Sequence, residues 1–154
     1  MSRSRELNDL LTEAIKVFRL NPSWTHHGPR HWERVEKNAS MLAENTPGCD
    51  ADVARVFALL HDCKRQNEGR EPGHGARAAE FAQELADRGM LRLESEQIET
   101  LKYAMVHHNN GQVSDDPTIG VCWDADRLDL PRVGTKPVVE LMSTEAGRVC
   151  VFKG

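Results

Sequence analysis

Apolar side chains recur along the chain at intervals of three and four, and proline, glycine or asparagine closes each run. Leu7, Leu10, Leu11, Ala14, Ile15 and Phe18 trace one face of a first helix, which Asn21 and Pro22 stop. The turn from Trp24 to Arg30 carries Gly28 and Pro29, and the stripe Trp32, Val35, Ala39 and Leu42 then predicts a second helix with His31 at its start. Thr46-Pro47-Gly48 ends it. The stretch from Ala51 to Lys64 differs, because Val53, Val56, Phe57, Leu59 and Leu60 leave no wide polar stripe. It is predicted as a helix buried on most sides, capped by Asp50 or Asp52, with the adjacent pair His61 and Asp62 at its C-terminal end.

Residues 64 to 73 form a polar loop with Gly69, Pro72 and Gly73. His74 and Gly75 open a fourth helix of small and apolar positions, Ala76, Ala79, Ala82, Leu85 and Ala86, which Gly89 stops. Ser95, Ile98, Leu101 and Met105 mark a fifth, whose phase places His108 on the buried face and His107 on the neighbouring one. If 119–129 is helical, Ile119, Cys122, Asp126 and Asp129 share a face and Asp124 points elsewhere. Pro131, Gly134, Pro137 and Gly147 limit the tail to short helices. Nothing alternates strictly, so the expected fold is all-α, a compact bundle of about six main helices.

Length and charge narrow the class. At 154 residues the chain is read as one domain, 1–154. A net charge of −4 weighs against a nucleic-acid polymer or an anionic membrane as partner. The longest uninterrupted apolar run, Val56 to Leu60, is far short of a membrane span. Cys49, Cys63, Cys122 and Cys150 form no C-x-x-C pair, and the N-terminal stretch lacks the apolar core of a signal peptide. Free thiols and a cytoplasmic location are therefore expected, with the chain a monomer or homodimer.

An imidazole and a carboxylate at the end of so apolar a run need explanation, because a buried ionised carboxylate is costly without a partner or a metal. Further ligand types stand near the ends of the other expected helices: His31, His74, His108 and Asp126 join His61 and Asp62. Nitrogen and oxygen donors without thiolate favour Fe, Mn, Co, Ni, Zn or Mg. His26, His27 and His107 are read as supporting or surface groups, and Trp32 and Trp123 as core.

A lone His-Asp dipeptide arises by chance in about half of such chains. The ordered set HGPRHWERV, FALLHDCKR, HGARAA, HHNNG and CWDADRLDL is far more specific. Spread over roughly Trp24 to Asp129, it resembles the HD-domain superfamily of metal-dependent phosphohydrolases, nearest an uncharacterised bacterial branch. The resemblance implies that His31, His61, Asp62 and Asp126 bind one divalent metal. In members with two metals, histidines at the positions of His74 and His108 hold the second and the HD aspartate bridges; in single-metal members the residue at the His74 position contacts the substrate phosphate.

The chemistry follows from the ions. A divalent metal lowers the pKa of a bound water from near 16 towards about 7 and polarises a phosphoryl oxygen. Negative charge on the equatorial oxygens then calls for cations. Lys64 and Arg65 are the first choices, with Arg77 and Arg127 also beside ligand positions. The expected protein is a metal-dependent phosphohydrolase, a phosphomonoesterase or phosphodiesterase, with Asp62, His74, Lys64 and Arg65 in the catalytic set. Its expected partner is a small phosphorylated molecule such as a nucleotide. Two alternatives stand beside this: a di-iron oxygenase of the same fold, and a metal-binding regulatory module without turnover.

Overall fold

The apolar run at 51–60 is the axis on which the other helices are laid. A computed structural model describes residues 3–153, and among them there is no strand. The helices are α1 (Arg5–Val17), α2 (Pro29–Glu44), α3 (Ala51–Leu60), α4 (His74–Asp87), α5 (Ser95–His107), α6 (Pro117–Arg127) and α7 (Glu145–Lys153). Short 3-10 turns at Leu130–Val133 and Val139–Leu141 lie between α6 and α7. No helix among the described residues is long and apolar enough to cross a membrane.

Helix α3 packs against α1, α2, α5 and α6, and seven of its ten residues are buried. That contact pattern is what a helix without a wide polar stripe requires, since any face left in water would expose apolar surface. Trp32 and Trp123 are both core, with indole N–H groups donating to the His27 and Ala104 carbonyls. Deleting a ring as large and as buried as either costs about 3–5 kcal/mol.

The helix starts follow local chemistry. The Asp50 carboxylate accepts from the Asp52 and Val53 N–H groups, and Asp116 accepts from Thr118 and Ile119 in the same way. Pro29 and Pro117 occupy first-turn positions, where their missing N–H costs nothing.

One boundary differs from the sequence expectation. Helix α3 stops at Leu60, not at Lys64, and His61 to Lys64 form a turn. The His61 Nδ1 lies 3.1 Å from the Phe57 carbonyl and 3.0 Å from that of Ala58. The Phe57 carbonyl already accepts from the His61 N–H, and the ring satisfies the Ala58 carbonyl that a further helical turn would have used. The His61-Asp62 pair is delivered by this turn, with the imidazole fixed from behind.

Helix α4 lies on α5, and Gly75 is the reason it can come so close. A methyl group at that position would collide with the Met105 backbone carbonyl. The close approach sets His74, the first residue of α4, against His108, the residue after α5.

Candidate metal centre

Six side chains from five separate segments converge at one end of the bundle. His31 comes from the first turn of α2, His61 and Asp62 from the turn after α3, His74 from the start of α4, His108 from the end of α5 and Asp126 from the end of α6. All the sequence-expected ligands are therefore brought together. His31, His61, Asp62, His74 and His108 are buried, and Asp126 is half-buried.

The cluster divides around Asp62. Its Oδ2 lies 3.3 Å from His31 Nε2 and 3.6 Å from His61 Nε2. Asp126 Oδ1 completes that side at 3.1 Å from His31 Nε2 and 3.2 Å from His61 Nε2, and the two imidazole nitrogens are 3.2 Å apart. Oδ1 of Asp62 faces the other side, 3.2 Å from His74 Nε2 and 3.5 Å from His108 Nε2, which are themselves 2.9 Å apart.

The opposite ring nitrogens decide what these contacts are. His61 Nδ1 faces the Phe57 and Ala58 carbonyls, His74 Nδ1 the Glu71 carbonyl at 2.5 Å, and His108 Nδ1 the Met105 carbonyl at 2.6 Å. His31 Nδ1 faces Asp129 Oδ2 at 2.7 Å. A carbonyl or carboxylate accepts only, so each Nδ1 carries a hydrogen, and Nε2 is the ring atom left to share a proton or to bind a metal. Four Nε2 atoms and two carboxylates thus converge on one another, an arrangement that needs protons or metal cations between them.

The spacing fits metal ions. Ligands in cis positions on an ion with bonds of about 2.1 Å lie about 3 Å apart. His31, His61 and Asp62 form one set of potential ligands, His61, His108 and Asp126 another, and Asp62, His74 and His108 a third, each with its donor atoms within 4.8 Å of one another. The residues present can therefore hold a metal ion. The Asn109 amide, 3.1 Å from His74 Nε2, is the contact that an ion beside His74 would replace.

Electrostatics separate the two sides. Burial lowers the affinity of His31 for a proton, but hydrogen bonds to Asp126, Asp129 and Asp62 outweigh it and raise the pKa to about 10. Without a metal, that proton is the cluster's cation. Burial prevails at His74 and lowers its pKa despite the nearby Asp62. Burial also opposes ionisation of Asp62 and Asp126, yet the surrounding imidazoles, His61 foremost, hold both carboxyls well below the usual range.

Two residues outside the expected set belong to the site. Asp129 accepts from His31 Nδ1 and from Arg34 Nε at 2.8 Å, so it fixes the ring of a candidate ligand. Helical phase placed Asp129 on the face of Asp126, which was the signal available in the sequence. His27 is 6% exposed, its Nε2 held 3.1 Å from the Glu68 carbonyl. Its Nδ1 faces Asp62 Oδ2 at 3.8 Å and has no hydrogen-bond partner. Burial lowers its pKa to about 4, so the ring is neutral. No periodicity in the turn around Gly28 could have placed it.

The expected cations part company. Arg65 is buried, donates to the Asn67 and Gly69 carbonyls and brings Nε to 3.7 Å from Asp62 Oδ1. Lys64 lines a depression with Val17, Arg19, Arg65 and Arg77, and its ammonium lies 5.6 Å from the centre of the Phe81 ring. Arg77 is bound to Glu71 and to the Lys64 carbonyl. Arg127 donates to the Leu141 carbonyl at 2.6 Å and lies over Trp123. Asp124, off the face of Asp126 as its phase required, accepts from the Ser143 and Thr144 N–H groups and anchors the segment before α7.

These features define an all-helical domain with a buried His/Asp cluster able to hold a metal. Residues 30–140 match the HD domain family, and the chain belongs to it. A solved structure of a predicted HD superfamily hydrolase from an uncultured Thermotogales bacterium is similar, with 28% identity and a TM-score of 0.71. The match covers 96% of this chain and 84% of that one. No curated protein matches the chain.

Proposed function

We propose that the protein is a metal-dependent phosphohydrolase acting on a small phosphorylated molecule. The observation that carries this reading is the division of Asp62, whose two oxygens face two separate pairs of imidazole Nε2 atoms. His31, His61, Asp62 and Asp126 would hold one ion, and Asp62, His74 and His108 a second. Ions so held supply a water of lowered pKa and a Lewis acid for a phosphoryl oxygen.

The chain's own residues do the rest. Asp129 and the helix-end carbonyls keep the imidazoles in the ligand tautomer. Arg65 is the cation at the reacting phosphate: its buried Nε has no hydrogen-bond partner and an oxyanion would supply one. Lys64 has no such position. His27 Nδ1 is the acceptor that holds a proton of a water beside Asp62.

The pair His74 and His108 also supports a second reading, a di-iron oxygenase, because it supplies nitrogen donors for a second ion. One experiment separates them. The purified protein, its metals quantified, is assayed for phosphate release from a panel of phosphorylated metabolites with Mn, Co or Ni, and for oxygen uptake with iron. Phosphate release that is lost in Asp62→Asn supports the hydrolase. Oxygen uptake with two irons per chain and no phosphate release overturns it in favour of the oxygenase, and bound metal with neither activity leaves a regulatory module.

A further inference from the structure

Four cations share one depression where the end of α1, the turn after α3 and the first turn of α4 meet. Arg19, Lys64, Arg65 and Arg77 line about 160 Å³ there, together with Val17 and Gln66. None of the six candidate metal ligands lines it, and Arg65 is the residue that borders both regions. The chain as a whole carries a net charge of −4, so this concentration of positive charge runs against its composition.

Two carboxylates touch the set, and both are committed. Glu71 is ion-paired to Arg77 and accepts from the Gln66 N–H at 2.7 Å. Asp62 lies 3.7 Å from Arg65 Nε but belongs to the metal cluster. Neither Arg19 nor Lys64 has a carboxylate partner among the described residues. Two of the cations are also half-buried and held in place. Arg77 donates through Nε and Nη2 to the Lys64 carbonyl, both at 3.2 Å, and the Lys64 ammonium lies 5.6 Å from the centre of the Phe81 ring. Like charges fixed side by side repel, and a bound anion removes that cost. Guanidinium groups offer a phosphoryl group paired N–H donors besides charge.

We propose that this depression is an anion site for a free, phosphate-sized dianion, held by Arg19, Lys64 and Arg77 and distinct from the place where an ester would react. Size sets the ligand. Sites for drug-sized molecules begin at about 300 Å³, well above the volume here. A water takes about 30 Å³, so a tetrahedral dianion and a few waters fit, and the organic body of an ester does not. Val17 is the one apolar residue of the lining, so the walls offer such a body little to bury against. Under the hydrolase reading a free dianion of this kind is what the cluster releases. The site does not depend on that reading, because its own charge and volume carry it.

The test is equilibrium dialysis against labelled inorganic phosphate, with the metal-loaded protein beside Asp62→Asn, Arg19→Glu and Lys64→Glu. Asp62→Asn removes the carboxylate that faces both halves of the cluster, so phosphate held through a metal there should go with it. One saturable equivalent should survive Asp62→Asn and weaken by about tenfold or more in each of the other two variants. Arg19 is exposed and neither side chain is in an ion pair, so the replacements break no salt bridge. Circular dichroism checks that each variant is folded, and Arg19→Ala stands in for any that is not. An equivalent that disappears in Asp62→Asn and is untouched by the Arg19 and Lys64 variants sits at the cluster and overturns the proposal. So does the absence of saturable binding to Asp62→Asn below about 10 mM phosphate. Phenylphosphonate carries the same charge on an organic body. If it displaces the label from Asp62→Asn as well as unlabelled phosphate does, the site takes esters and the restriction to a free dianion fails. A wild-type protein that keeps the equivalent and hydrolyses no ester loses the hydrolase reading alone.

Discussion

The two sides of Asp62 use the same imidazole chemistry in different electrostatic settings. On one side His31 and His61 meet two carboxylates, and Asp129 stands behind His31 as a third. On the other, His74 and His108 meet one carboxylate oxygen and are backed only by neutral carbonyls. The raised pKa of His31 and the lowered one of His74 report this difference directly. Cation affinity follows anionic charge, so the side of Asp126 should hold its ion more tightly. The side of His74 should load later and exchange faster.

Removing what the two sides share has the largest effect. Asp62→Asn withdraws the carboxylate charge from both, so both ions should be lost together and phosphate release should fall about a thousandfold or more, several kcal/mol of transition-state stabilisation. Metal analysis beside the rate measurement checks it. Retention of one full equivalent by the variant would show that Asp62 does not bridge.

A smaller change should fall on one side alone. Asp129→Asn removes the charged acceptor behind His31 and the partner of Arg34 while leaving every ligand atom of the cluster in place. Affinity for the tighter ion should drop about 10- to 100-fold with the weaker ion unaffected. Chelator competition on the two equivalents reads this, and equal losses would erase the asymmetry.

The complementary change is made through packing. Gly75→Ala puts a methyl against the Met105 carbonyl, so α4 must move away from α5 and carry His74 from His108. Global stability should fall by about 1–3 kcal/mol, measured by denaturant melting, and the weaker ion should be the one lost. Unchanged stability would mean that the helices accommodate the methyl without separating.

How much of this could be read in advance depended on what kind of information each residue carried. Helix faces follow from periodicity, so α1 to α6, the core role of Trp32 and Trp123, and the burial of His108 were legible. The convergence of the candidate ligands was legible because the ordered motifs resemble a known family and each stands beside a helix boundary. The early end of α3 was not, because it arises from a hydrogen bond between the His61 ring and carbonyls of its own last turn. His27 was hidden for a different reason. It lies in an irregular segment, where no period ties a residue to a face and only tertiary contact decides what it meets.

Acidity sharpens the comparison without a mutation. A metal beside His31 must displace a proton that the ring holds up to about pH 10, since hydrogen bonds donated to three carboxylates outweigh its burial. At any lower pH, each unit of acidification should weaken that ion by up to about tenfold. His74, whose pKa burial lowers, holds a proton less readily and imposes less competition. The carboxylates of Asp62 and Asp126, held well below their ordinary range, stay ionised throughout. Between about pH 6.5 and 8.5 the affinity on the Asp126 side should therefore climb with pH while that on the His74 side stays nearly level. The two dependences converge as the solution is acidified, so the asymmetry between the ions is a property of neutral and alkaline solution. Metal titrations at four pH values resolve the slopes, and parallel lines for the two equivalents would show that the extra carboxylates do not set the order of loading.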